Sequence, residues 1–145
     1  MKRSIVITVV IMLFCIFDAS AWGALGHRTI AAIAEDNLTP EAKAATQKYL
    51  NASLPSVSLW MDRTASWNKK RKGYIPGWDL TSVWHTLVVD EKHRVSSKTT
   101  PKGSGKLVSG LKMCVENLKN YRNLSDSAVV VNLKCVIHML GDMHC

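Results

Sequence analysis

The stretch "CVIHMLGDMHC", residues 135–145, places His138 and Asp142 four positions apart. On a helix that spacing puts both side chains on one face, with Cβ atoms about 6 Å apart, so that both can reach one metal ion. Taken alone, the motif is weak, and such a pair is more often a simple hydrogen bond. Its surroundings ask for more. Val129, Val130, Leu133, Val136, Ile137 and Leu140 make the segment largely apolar. An imidazole and a carboxylate on a buried helix need strong partners, because stripping water from charge is costly. Candidate partners stand elsewhere: His27 in the first apolar-periodic segment, Asp62 after Trp60 and Met61, and His85 behind Trp84. Singly each reads as a cap or a satisfied core residue. Jointly they supply three histidines and two aspartates, a nitrogen and oxygen donor set suited to zinc. Asp79 competes with Asp62 as the carboxylate upstream of His85, and the Trp-x-Asp context favours Asp62. His93 lies in a polar, basic stretch and reads as solvated.

These residues must be positioned by helices. Apolar residues at Ile30, Ala31, Ile33 and Ala34 predict a helix over residues 26–37. Thr39, Pro40 and Glu41 form an N-cap, a first-turn proline and a first-turn acid, predicting a second helix over 40–50. A turn over 51–55 and a short helix over 57–67 follow. Residues 69–79 (KKRKGYIPGWD) read as a basic loop, and 82–90 (SVWHTLVVD) as a strand or extended segment. Residues 92–106 read as a flexible basic loop. Leu107, Leu111, Cys114 and Leu118 line one side of a helix over 107–120. Ser125 or Asp126 caps a last helix over 127–143. The fold class is therefore all-α, with long loops carrying the basic residues.

The first 21 residues read as a cleaved signal. Lys2 and Arg3 precede the 13-residue apolar run IVITVVIMLFCIF, and Ala19-Ser20-Ala21 is a small-x-small cleavage pattern. That run is short for a membrane span, and no second one follows, so the mature chain is expected in a secreted or periplasmic compartment without stable membrane insertion. Removing Lys2, Arg3 and Asp18 changes the formal net charge from +8 to +7. Such a charge fits an anionic partner, or mere colloidal solubility. Cys114, Cys135 and Cys145 remain, an odd number. Cys114 with Cys135 is the first choice for a disulfide in an oxidising compartment. Asn37, Asn51 and Asn123 open glycosylation sequons, meaningful where the host glycosylates exported proteins.

The opening "WGALGHRTIAAIAEDNLTPEA", followed in order by "SLWMD", "WHTLVVD" and "IHMLGDMH", resembles the zinc-dependent S1/P1 nuclease family over residues 22–145, most weakly through 91–125. The phosphatidylcholine-cleaving bacterial phospholipases C share the fold and match less closely. The resemblance implies a phospholipase C/P1 nuclease-like helical domain. It implies one zinc held by Asp62, His85, His138 and Asp142, and a second held by Trp22, His27 and Asp142, with Asp142 bridging. Trp22 would bind through its free α-amino nitrogen and its carbonyl oxygen. That amine exists only after the signal is removed, and its reference pKa near ~8 lets zinc displace the proton. The family has a third zinc, taken by a later histidine and by residues further on. His144 stands at the wrong spacing for it and reads as a neighbour. Ligands for two zincs are thus present, and residues 22–145 are expected to be an N-terminal portion of such a domain, with exposed apolar surface on the last helix. Asp90 resembles an acid that orients a ligand histidine.

The implied activity is hydrolysis of single-stranded DNA or RNA to 5′-phosphates, and removal of 3′-phosphate from nucleotides, by a metal-activated hydroxide attacking phosphorus in line. No side chain beyond the metal ligands need act as a catalyst. Lys69, Lys70, Arg71 and Lys72 would attract the phosphate backbone. Tyr74, with Trp67 and Trp78, offers either a face for a base or packing that pins the loop. The protein is expected to be a monomer. A zinc phospholipase C of the same fold, or an inactive zinc-binding fragment, are the rival readings.

Overall fold

The computed structural model describes residues 23–64, 84–87, 89–92, 94 and 105–144. Its elements are α1 (Ala24–Asp36), α2 (Pro40–Leu50), α3 (Leu54–Val57), α4 (Leu107–Lys119), a single 3-10 turn (Tyr121–Asn123) and α5 (Asp126–Met143). Residues 60–64 form a further helical turn. No strand occurs among the described residues, and the fold is all-α.

Local chemistry explains the ends. Thr39 caps α2 by accepting from the Ala42 N–H, with Pro40 and Glu41 in the first turn. Asn51 closes the same helix at φ 46°, a left-handed cap whose N–H bonds back to the Gln47 carbonyl. Ser125 caps α5 by accepting from the Ala128 N–H, and Asp126 adds a first-turn acid. The region expected as a turn over 51–55 instead begins α3 at Leu54. The Leu54 N–H, one of that helix's unpaired donors, is taken by the Glu35 carboxylate reaching across from α1.

Helices α4 and α5 form an antiparallel hairpin. Asn117 Nδ2 donates to Asn132 Oδ1 at 3.0 Å, and Cys114 faces Cys135 further along. The core lies between them: Met61, Leu107, Cys114, Cys135 and Met139, with Trp60, Trp84, Leu111, Val131 and Val136 packed against it. Both cysteines are free thiols, hydrogen-bonded to each other rather than joined, and the pairing pushes the Cys135 thiol up and the Cys114 thiol down. Helix α1 packs on α3 and α5. Its buried stripe is His27 and Ala31, whereas Ile33 is 56 % exposed. The face is thus rotated from the one that apolar spacing predicts, because the histidine is drawn inward by α5. On α5, Leu140 and Met143 are exposed.

The described part of the expected strand, residues 84–87 and 89–90, is irregular. It is pinned to the start of α4 instead: the Thr86 carbonyl accepts from the Leu107 N–H, and Thr86 Oγ1 accepts from the Gly105 N–H. Two donors at a helix N-terminus take the place of a ladder partner.

Candidate metal centre

Four elements deliver the polar residues to one place. His27 comes from the first turn of α1, Asp62 from the helical turn at 60–64, His85 from the segment pinned on α4, and His138 with Asp142 from α5. The indole of Trp84 lies against the backbone of Gly110, where an added Cβ would stand 2.5 Å from Trp84 Cδ2. This contact carries the adjacent His85 inward.

His138 is fully buried and organises the group. Its Nδ1–H donates to the Ser58 carbonyl at 2.6 Å. A carbonyl cannot donate, so the proton sits on Nδ1 and, in the neutral ring, Nε2 keeps its lone pair. Around that nitrogen stand His85 Nδ1 at 3.0 Å, Asp142 Oδ2 at 3.3 Å and Asp62 Oδ1 at 3.5 Å. His85 Nδ1 in turn lies 3.4 Å from Asp142 Oδ2 and 3.6 Å from Asp62 Oδ1. Zinc bonds nitrogen and carboxylate oxygen at 2.0–2.2 Å in a tetrahedron, whose edges are then about 3.3–3.6 Å. The five pairs named here, at 3.0–3.6 Å, lie at or near such edges.

The other oxygen of Asp142 serves a second group. Oδ1 lies 3.1 Å from His27 Nε2, and the His27 ring stacks on that of His138 with centroids 4.3 Å apart. His27 Nδ1 faces the Gly23 carbonyl at 3.5 Å. Donor atoms of His27, His138 and Asp142, and those of Asp62, His85 and His138, each fall within 4.8 Å of one another.

The electrostatics are those of titratable groups brought together out of water. Asp142 Oδ2 and His85 Nε2 are buried without a hydrogen-bond partner. Burial would raise the Asp142 carboxyl, yet the adjacent imidazoles of His138 and His85 hold it far below the usual carboxylate range. Burial likewise opposes charge on His138, but Asp142, the Ser58 carbonyl and the charge of Asp62 hold its pKa above the ordinary value. These residues fit a metal ion: two carboxylates and imidazole lone pairs converge, and an orphaned oxygen points inward. Side-chain exposure runs from 0 % at His138 through 13 % at Asp142 and 20 % at His85 to 52 % at Asp62, so the centre opens on the Asp62 side.

Trp22 and the residues Lys69, Lys70, Arg71, Lys72 and Tyr74 lie outside the described residues, as do Trp67, Trp78, Asp79 and His93. Asp90, expected to orient a ligand histidine, is engaged within its own turn. Its Oδ1 accepts from the Lys92 and Arg94 N–H groups and its Oδ2 from Arg94 Nε, and the Arg94 backbone bond leads in lowering its pKa. His144 Nδ1 donates to the Leu140 carbonyl at the end of α5, which occupies it locally. Ser58 and Gly141 were not legible as site residues: one acts through a backbone carbonyl and the other through a missing side chain, and neither leaves a chemical signature in sequence.

The family model for S1/P1 nuclease matches residues 22–145. The chain belongs to this family, whose members are zinc-dependent nucleases, and nucleic acid is the substrate class the family implies. A comparison with curated proteins found no match. No helix among the described residues is long and apolar enough to cross a membrane.

Proposed function

We propose that the protein is an exported, zinc-dependent phosphodiesterase that hydrolyses single-stranded DNA or RNA to 5′-phosphates and removes 3′-phosphate from nucleotides. The observation that carries this reading is the spacing of His138 Nε2, His85 Nδ1, Asp62 Oδ1 and Asp142 Oδ2, 3.0–3.6 Å in every measured pair. Asp62, His85, His138 and Asp142 would hold one zinc, and His27 with the other oxygen of Asp142 a second. Zinc supplies Lewis acidity: it lowers the pKa of a coordinated water and offsets charge developing on phosphate. The chain's own residues do the rest. Ser58 fixes the tautomer of His138, Asp142 spans both groups with one oxygen each, and the exposed flank of Asp62 leaves an approach for a phosphodiester.

The backbone supports a role for Trp22. Trp22 precedes Gly23 in sequence, and the Gly23 carbonyl lies 3.5 Å from His27 Nδ1. Cleavage after Ala21 would free the Trp22 amine as a donor that a peptide nitrogen cannot replace. The basic run Lys69–Lys72 and the charge of +7 without the leader suit a polyanion.

The test is to offer single-stranded DNA and phosphatidylcholine to the signal-processed protein, with and without EDTA. Strand digestion abolished by chelator is the expected result. Undiminished digestion in EDTA would sink the zinc reading, phosphatidylcholine cleavage alone would make the protein a phospholipase C, and two bound zincs without turnover would make it a metal-binding fragment.

A further inference from the structure

We propose that Gly141 is a positioning residue, whose missing side chain lets the His27 imidazole lie against α5 and present Nε2 to Asp142. The consequence for metal binding rests on the zinc reading above; the steric claim does not. Glycine is among the poorest helix formers, and Gly141 sits inside an 18-residue helix. The usual backbone reason for a glycine does not apply, since Gly105 is the described glycine with positive φ and Gly141 is not. What remains is space. A Cβ at position 141 would stand 2.7 Å from His27 Cδ2 and 3.3 Å from both Cγ and Nε2. The ring cannot yield easily: it is 4 % exposed, stacked on His138 on one side and held by Asp142 Oδ1 at 3.1 Å. A methyl group there must therefore push the imidazole off the carboxylate. The three atoms nearest to that Cβ all belong to His27. The expected injury is selective for the His27 group, and the Asp62–His85–His138–Asp142 group is spared.

The experiment is a double-mutant cycle on the signal-processed full chain, with Gly141→Ala, His27→Ala and the double variant. Thermal unfolding is read in EDTA, and zinc binding is read by competition with a chromophoric chelator. In EDTA, Gly141→Ala should lower the unfolding midpoint when His27 is present and raise it in the His27→Ala background, where the Cβ has room and helix propensity decides. For zinc, Gly141→Ala should weaken the weaker-filled site about 10–100-fold, as loss of a ligand's positioning partner does. It should add nothing to His27→Ala. A shift of the same sign in both backgrounds, or additive losses of affinity, overturns the proposal. If Gly141→Ala alone fails to fold, a folded double variant supports the steric claim and an unfolded one overturns it. If the wild-type chain takes up no zinc, the metal reading fails while the midpoint cycle still decides the role of Gly141.

Discussion

His138 is committed at both ends. Its Nδ1–H is spent on the Ser58 carbonyl, so Nε2 is the atom offered to the centre, and Asp142 then divides its two oxygens between two groups. This division makes residue-scale predictions that differ in kind. Asp142→Asn should cost both metals, because one carboxylate serves both groups, whereas His27→Ala should cost one; metal analysis of dialysed protein counts them. Proton competition gives a second prediction. Zinc must displace the proton that the surroundings favour on His138, so affinity should rise with pH through and above its ordinary range near ~6.5. The metal-free protein should show the opposite trend. A histidine whose folded pKa is raised contributes stability that is full below the unfolded pKa and lost as pH rises through the folded one. Asp142, held low, contributes stability at and above the unfolded carboxylate range, lost only as pH falls well below it. Zinc titrations and denaturant melts in EDTA, both at pH 5.5 and 8, would show the two slopes crossing. Equal slopes would mean that His138 does not govern either.

At the scale of elements, the centre depends on where helices start and on how closely they approach. Ser125→Ala removes the α5 cap and should cost about 1 kcal/mol, read as a lower denaturant midpoint with an unchanged m-value. The loss should fall on stability and leave the number of bound metals unaltered, because the cap lies at the opposite end of α5 from Asp142. Gly110→Ala should act differently. The indole of Trp84 fills the space a Cβ needs, so overpacking of about 1–3 kcal/mol is expected, together with weaker binding in the group that contains His85. Retained affinity there would show that Trp84 does not set the position of His85. Glu35 plays a quieter part, tying α1 to the start of α3 through the Leu54 N–H and so fixing the approach of the Ser58 carbonyl to α5.

The molecule as a whole brings together candidate ligands from positions 27, 62, 85, 138 and 142, so a bound ion would cross-link segments far apart in sequence. Binding to the folded chain alone stabilises it by mass action: at a free zinc concentration 100 times Kd the gain is about 2.7 kcal/mol. The unfolding midpoint should therefore rise in zinc and fall in EDTA, and a midpoint indifferent to both would count against a resident metal. Leu25, 80 % exposed, and Ile33, Leu140 and Met143 leave apolar surface on α1 and at the end of α5. The hydrogen-bonded pair Cys114 and Cys135 sits in the core between α4 and α5, where each thiol is within reach of the other and shielded from reagents.

Periodicity and capping were enough to place α1, α2, α4 and α5 but not the short α3, because those signals are local. Thr39-Pro40-Glu41 marked the start of α2 and Ser125 that of α5, and the apolar stripe of α4 fell on Leu107, Leu111, Cys114 and Leu118 as spacing requires. His138 and Asp142 were legible as a pair for the same reason: four residues along a helix is a geometric statement. Sequence did not decide which face of α1 turns inward, since Ile33 is the more apolar residue and His27 the buried one; contact with Gly141 and Asp142 settled that. Nor did it show that residues 84–87 forgo a strand, since the donors that pin Thr86 belong to the distant start of α4. The gathering of His27, Asp62 and His85 around α5, the tautomer imposed by Ser58 and the seats provided by Gly110 and Gly141 are tertiary facts. They arise from contacts between segments tens of residues apart, through backbone carbonyls and absent side chains, and such contacts have no period along the chain.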